Sequence, residues 1–195
     1  MKNQLNDEIE MICDPEIKRL VRIVLDKAPE SFWTIAASST GKYHPEYAAG
    51  ERGLIRHTKA VVRIADHICT WTTKFSEECN IGRDIIIAAC ILHDTYKVPD
   101  GEKYTRFNHP ILATKAIIDE RHQFDEDFTD IICKIADAVS SHMGRWNTPY
   151  RGNDKDLPLP HTPYGKIVSL SDYLASRKEI IPNFSLNEEI PLDMV

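Results

Sequence analysis

His93 and Asp94 stand side by side at the end of an apolar run, in the stretch Ile91-Leu92-His93-Asp94-Thr95-Tyr96-Lys97. Burying an imidazole and a carboxylate without partners is unfavourable by several kcal/mol. A divalent cation is the usual partner for such a pair. The chain supplies further candidates of the same chemistry in His57, His109, His142 and Asp172. Each falls on a different helical segment, and inward-pointing histidines and carboxylates from several helices are how helical bundles build metal sites.

Each residue also has a plainer reading. A single histidine on an apolar face is commonly a hydrogen-bonded core residue, and Asp94 or Asp172 alone could cap a turn or sit on the surface. The set of six, in this order, would need six separate explanations of that kind. The remaining histidines lack the pattern. His67 falls off the stripe that holds His57, His44 and His161 sit in loops beside prolines, and His122 is flanked by Arg121 and Gln123. These four are left outside the set, with His44 the closest to joining it.

The elements that must position these groups read as helix after helix. Asp14-Pro15 is an N-cap followed by a first-turn proline, opening a helix to about Lys27 that Pro29 ends. Residues Ser38 to Gly53, with Gly41, Pro45, Gly50 and Gly53, form a long loop. A helix then starts near Leu54, where Leu54, His57, Val61, Ile64 and Ile68 recur on one face. Asp84 is placed to cap the next helix, whose segment Ile85 to Leu92 is apolar all round and therefore central. It ends at His93-Asp94, and Pro99-Asp100-Gly101 makes a turn.

Asn108 is placed to cap a helix opening at His109-Pro110, with Leu112, Ala113, Ala116 and Ile117 inward. Phe128, Ile131, Ile135, Val139 and His142 mark one face of a helix from about Asp125 to His142. A loop from Gly144 to Pro163 follows, then a last helix from about Pro163 to Glu179 that carries Asp172, and a polar tail after Pro182. There are no repeats, no low-complexity segment and no strand pattern. The expectation is an all-α, compact helical bundle: one domain over 1–195, with its core at about 40–180, N-terminal helices in 1–37 and a tail at 181–195.

Length and charge bound the function. The 195 residues suffice for one domain with a real core. A net charge of −6 argues against coating nucleic acid through bulk charge, yet leaves room for a local basic pocket holding one phosphate-bearing ligand. The five cysteines (Cys13, Cys69, Cys79, Cys90, Cys133) form no CxxC pair, and Cys69, Cys90 and Cys133 lie in apolar stretches. They read as reduced core thiols rather than a disulfide framework. No apolar signal region opens the chain, and its longest apolar run is far short of the roughly 20 residues that span a bilayer. The expectation is a soluble, cytoplasmic protein with no membrane partner; a homo-oligomer stays open.

The order His57, His93-Asp94, Asp172 resembles the signature of HD-domain metal-dependent phosphohydrolases. His93-Asp94-Thr95-Tyr96-Lys97 resembles the HDxxK form found in HD-GYP phosphodiesterases, and His109-Pro110 with its following apolar helix resembles their HP segment. His142 matches a further histidine of dinuclear members. Gly53-Leu54-Ile55-Arg56-His57-Thr58 and Ser141-His142-Met143-Gly144 are similar to the HD domain of a bacterial exoribonuclease that trims RNA from its 3′ end. The resemblance covers roughly 40–180. The chain departs from these relatives in lacking the GYP tripeptide, where Asn147-Thr148-Pro149-Tyr150 stands, and the exoribonuclease's oligonucleotide-binding domain. It also has Ser141-His142 where some members have a paired HH.

The resemblance implies an HD-domain bundle with a two-metal site in its core. His57, His93, Asp94 and Asp172 would hold one ion and Asp94, His109 and His142 the second, with Asp94 bridging. Two ions about 3.5–4 Å apart clamp the attacking and leaving oxygens of a phosphoryl displacement and lower the pKa of a bridging water, making hydroxide available. Nitrogen-rich ligation suits Mn, Fe, Co, Ni or Zn better than Mg or Ca. Asp94 and Lys97 are the catalytic candidates, Lys97 offering its charge to a non-bridging phosphate oxygen.

Arg145, just past His142, suits bidentate phosphate recognition. Lys42 and Arg177 are further candidate substrate contacts. Arg52 and Arg56 flank the same loop as Lys42, and the plainer reading of all four is surface charge. Trp146 and Tyr43 are loop aromatics that could stack on a base or simply pack. The implied activity is hydrolysis of a phosphomonoester or phosphodiester of a nucleotide or short oligonucleotide. Two alternatives use the same residues: a mixed-valence di-iron oxygenase of the HD fold, and a non-catalytic module that senses a ligand. Retention of all six candidate ligands argues against the second.

Overall fold

Asp14 does what its place before Pro15 predicts. In the computed structural model its carboxylate accepts from the Glu16 and Ile17 amides, at 2.9 Å each, and helix α2 runs Pro15–Asp26. The structure describes residues 4–39, 41, 44–72, 74–77, 79–149 and 156–180. Among them lie eight α-helices, four short 3-10 turns and no strand. Besides α2 the helices are α1 Asn6–Glu10, α3 Glu30–Thr34, α4 Gly53–Trp71, α5 Ile81–Leu92, α6 His109–Asp119, α7 Thr129–Ser140 and α8 Pro163–Ala175. The all-α reading holds; α1 and α3 are single-turn helices too short to show a periodic face.

Helix α5 is the axis. Every residue from Asp84 to Leu92 is buried, and α2, α4, α7 and α8 pack around it. The sequence reading of its start needs correction. Asn80, not Asp84, caps α5, accepting from the Gly82 and Arg83 amides at 2.8 and 3.3 Å. Asp84 lies inside the first turn and reaches across to the α1–α2 junction, where it accepts from the Cys13 and Asp14 amides at 3.0 and 2.8 Å. Asn108 stands at the start of α6 but makes no side-chain cap bond; Pro110 supplies the pre-set first turn instead. Helix α8 stops at Ala175, short of Glu179, where the Ser176 hydroxyl donates to the Tyr173 carbonyl.

The cysteine expectation is overturned in part. Cys13 and Cys79 form a disulfide with Cα atoms 5.3 Å apart, because the Asp84 strut draws Cys13 onto the start of α5, just past Cys79. Cys133 is exposed, while Cys69 and Cys90 are buried free thiols as expected.

The loop before α4 is tied down rather than loose. The Ala37 amide bonds to the Ala48 carbonyl at 3.0 Å and the Leu54 amide to the Ile35 carbonyl at 2.9 Å. Arg56, read from the sequence as surface charge, is buried: its guanidinium donates to the Tyr47 and Ala49 carbonyls. The Tyr47 hydroxyl in turn donates to the Ala175 carbonyl at 2.7 Å, fastening the loop to α8. Gly53 is required where α4 begins, since a Cβ there would lie 2.2 Å from the Ala48 carbonyl oxygen. Among the described residues no helix is long and apolar enough to cross a membrane.

Candidate metal centre

The six residues selected by chemistry and spacing converge. His57 projects from the second turn of α4, His93 caps the C-terminal end of α5 and Asp94 follows it. His109 opens α6, His142 lies just past α7, and Asp172 lies in α8. His57, His93, Asp94, His109 and His142 are buried and Asp172 is partly so. Two groups of three could each hold an ion: His57, His93 and Asp172, and Asp94, His109 and His142, with ligand atoms within 4.8 Å of one another in each group.

Asp94 joins the groups. Its Oδ2 lies 3.4 Å from His93 Nε2 and 3.9 Å from His57 Nε2. Its Oδ1 lies 2.9 Å from His109 Nε2 and 3.7 Å from His142 Nε2. Asp172 Oδ1 sits 3.0 Å from His57 Nε2 and 3.9 Å from His93 Nε2. One carboxylate therefore faces both halves of the cluster with different oxygens.

The backbone fixes which ring nitrogen faces the centre. Nδ1 of His93 is 2.7 Å from the Cys90 carbonyl, that of His109 is 2.7 Å from the Arg106 carbonyl, and that of His142 is 2.8 Å from the Val139 carbonyl. A carbonyl only accepts, so each Nδ1 carries a proton and Nε2 is the nitrogen turned inward, its lone pair available to a cation in the neutral ring. His109 Nε2 and His142 Nε2 then face each other at 3.2 Å, with Asp94 Oδ1 against both. Three acceptors crowded round one buried point repel unless a cation lies among them. His93 Nε2 and Asp94 Oδ1 are left without hydrogen-bond partners. The residues present thus fit one or more divalent cations.

Ionisation follows the same layout. Burial pushes the Asp94 carboxyl up, but the Lys97 ammonium and His93 outweigh it and hold the group well below its ordinary value. Asp172 is likewise held low against burial by its hydrogen bond with His57 and the charge of His93. Burial, with His93 and His109 beside it, drives His142 down to about 3. His57 is also lowered, chiefly by burial. For His93 burial acts downward, but Asp94 and Asp172 prevail and the imidazole is raised.

The expected substrate contacts divide. Lys97 Nζ lies 2.5 Å from Asp94 Oδ2, so its first partner is the carboxylate itself. Arg145 stacks on Trp146 and Arg177 on Tyr173. Lys42 and Tyr43 lie outside the described residues. Ser141, in place of a second histidine, is structural: its hydroxyl donates to the Asp137 carbonyl at 2.9 Å.

One residue left out of the set belongs beside it. The His44 ring stands edge-on to His57, with centroids 4.8 Å apart, and its Nδ1 is buried without a hydrogen-bond partner. Burial, followed by His57 and Lys97, drives it down to about 3. A loop residue has no helical face to betray it, and only the folding back of the loop over α4 brings it in.

No curated protein and no solved structure matches the chain. A family model does: the HD domain matches residues 54–177. That segment is well over half of the chain and contains all six converging residues. The chain therefore belongs to the HD-domain family.

Proposed function

We propose that the protein is a metal-dependent phosphohydrolase that cleaves a phosphomonoester or phosphodiester bond of a nucleotide or short oligonucleotide. The observation that carries this reading is the Asp94 carboxylate, with Oδ2 toward His57 and His93, Oδ1 toward His109 and His142, and the Lys97 ammonium at its edge. The HD domain and this cluster together support metal-dependent hydrolase chemistry.

His57, His93, Asp94 and Asp172 would hold one ion, and Asp94, His109 and His142 a second. Bound there, two divalent ions supply positive charge to the attacking and leaving oxygens of a phosphoryl displacement and lower the pKa of water. An imidazole-rich set suits Mn, Fe, Co, Ni or Zn. The residues around the ions do the rest. Backbone carbonyls hold three imidazoles in one tautomer and one orientation. The buried walls of α4, α5 and α7 exclude bulk water, which strengthens every charge interaction inside. Lys97 reaches the cluster from a turn rather than a helix, with its ammonium on Asp94 Oδ2, and from there it would offer its charge to a non-bridging phosphate oxygen.

The test is a screen of Mn-loaded protein against nucleoside mono- and triphosphates, short oligonucleotides and a generic phosphodiester, beside elemental analysis of the metal. Release of phosphate or a shortened strand is the expected result. Failure on every substrate, with oxygen consumed by the ferrous-loaded protein instead, would overturn the proposal in favour of an HD-fold oxygenase.

A further inference from the structure

Beside the metal cluster lies an aromatic and cationic group that the chemistry above does not use. Gly144–Trp146 forms a 3-10 turn directly after His142. Gly144 has φ +56, and a Cβ on it would lie 2.5 Å from Ser169 Oγ, so the turn is seated tightly on α8. Ser169, Asp172, Tyr173 and Ser176 recur at three- and four-residue steps, and therefore share the α8 face that meets this turn. On that face the Trp146 indole stacks on the Tyr173 ring, with centroids 5.4 Å apart and planes inclined by 29°. The Arg145 guanidinium lies 4.5 Å from the Trp146 centroid and 5.6 Å from that of Tyr173; the Arg177 guanidinium lies 4.6 Å from the Tyr173 centroid.

Three properties set this group apart from ordinary surface packing. Trp146 keeps 44 % of its surface exposed although it is stacked. Among the described residues neither guanidinium pairs with a carboxylate, on a chain whose net charge is −6. Both halves adjoin metal-cluster residues in sequence: Trp146 follows His142 by about one helical turn, and Tyr173 follows Asp172. A partly exposed aromatic pair flanked by planar cations is the chemistry that receives an unpaired base and the phosphate next to it.

We propose that Arg145, Trp146, Tyr173 and Arg177 form a stacking platform for a nucleobase of a single-stranded oligonucleotide whose adjacent phosphate lies at the metal cluster. The platform deepens the phosphohydrolase reading and rests on it for the place of the phosphate. It selects unpaired strands, because a base already stacked in a duplex has no free face to offer. It also explains how an acidic chain holds a polyanion: two local arginines act where the net charge does not.

The probe is a fluorescein-labelled, nuclease-resistant phosphorothioate hexanucleotide, titrated by anisotropy against the Mn-loaded protein. Trp146→Ala should weaken binding about tenfold or more, the usual worth of one stacked base. Trp146→Phe, which keeps an aromatic face, should stay within about threefold of the native protein and shows that the site still folds. A phosphorothioate strand of the same length without bases should bind about tenfold more weakly than the hexanucleotide and be indifferent to Trp146→Ala. Equal affinity for the base-free strand, no effect of Trp146→Ala, or no binding of the hexanucleotide would each overturn the platform. Binding through Trp146 by a protein that hydrolyses nothing would sink the phosphohydrolase reading and spare the platform. Hydrolysis of phosphodiesters with binding indifferent to Trp146 would do the reverse.

Discussion

Replacing Asp94 by Asn tests the site at the one residue that both halves share. The change keeps the shape of the side chain and removes the charge that faces four imidazoles at 2.9 to 3.9 Å. A ligand present at about 100 times its Kd stabilises a protein by about 2.7 kcal/mol. For a chain of this size each kcal/mol moves Tm by about 2–4 °C, so Mn at that excess should raise the native Tm by about 5–11 °C. Loss of a residue that merely orients a ligand already weakens metal binding by about 10–100-fold, and Asp94 stands nearer to the ion than that. A hundredfold loss leaves the same Mn concentration equal to Kd, where the stabilisation is only about 0.4 kcal/mol and the shift about 1 °C. The assay is thermal unfolding with and without Mn, paired with elemental analysis after desalting. The difference between the two melts is compared, so the altered Lys97 environment in the metal-free variant cancels. His161→Asn, at an exposed histidine outside the cluster, should keep the full shift. An undiminished shift in Asp94→Asn would refute the assignment of both halves of the site to one carboxylate.

Lys97→Ala should reduce turnover about a hundredfold, the usual loss when one preorganised cation or donor is removed, while Mn content by elemental analysis stays near native; loss of the metal instead would make Lys97 a support for Asp94 alone. Chelator-treated protein should lose stability steadily as pH falls from 6.5 toward 3, followed by urea midpoints across that range. His142 binds its proton at about 3 when folded and near 6.5 when unfolded, so the unfolded state gains protons first and the native advantage shrinks. His57 shifts in the same direction and His93 in the opposite one, which leaves a net loss; a midpoint that rises on acidification would contradict this. Gly53→Ala should lower Tm by several degrees, because its Cβ would sit 2.2 Å from the Ala48 carbonyl oxygen and 2.7 Å from the carbonyl carbon and such crowding costs about 1–3 kcal/mol; an unchanged melting curve would show that the loop gives way freely.

The parts of this molecule legible in the sequence are those with a period or a fixed local partner. Ile85 to Leu92 announces a buried helix because it is apolar on every side, and the six cluster residues stand out because imidazoles and carboxylates are expensive in such surroundings. What escaped depends on contacts beyond a single helical turn, some of them far apart in the chain. Asp84 looks like a cap because it precedes an apolar run, yet its partners are the amides of Cys13 and Asp14. The Cys13–Cys79 bond follows from that same long-range contact. Arg56 looks exposed because it is charged, but the loop carbonyls of Tyr47 and Ala49 come round to meet it. His44 has no periodic neighbours at all, and reaches His57 only because Gly53 lets the loop press against the start of α4.

The placement of the histidines has a physical reason beyond proximity. A helix leaves its last carbonyls without intrahelical partners. His93 and His142 each follow the end of a helix, and each donates from Nδ1 to a carbonyl three residues back in the last turn, Cys90 in α5 and Val139 in α7. One bond thereby fastens the ring to the helix end and commits the other nitrogen, with its lone pair, to the centre. His109 gains the same commitment from the Arg106 carbonyl in the turn before α6. His57 sits within α4, where the carbonyls are already taken by the helix, and its Nδ1 is the one among the four that has no partner. Its orientation therefore rests on Asp172 and on the His44 ring. The doublet His93-Asp94 marks the site because a helix terminus is where a buried imidazole can be oriented by backbone alone, leaving the neighbouring carboxylate free to face two groups of ligands at once.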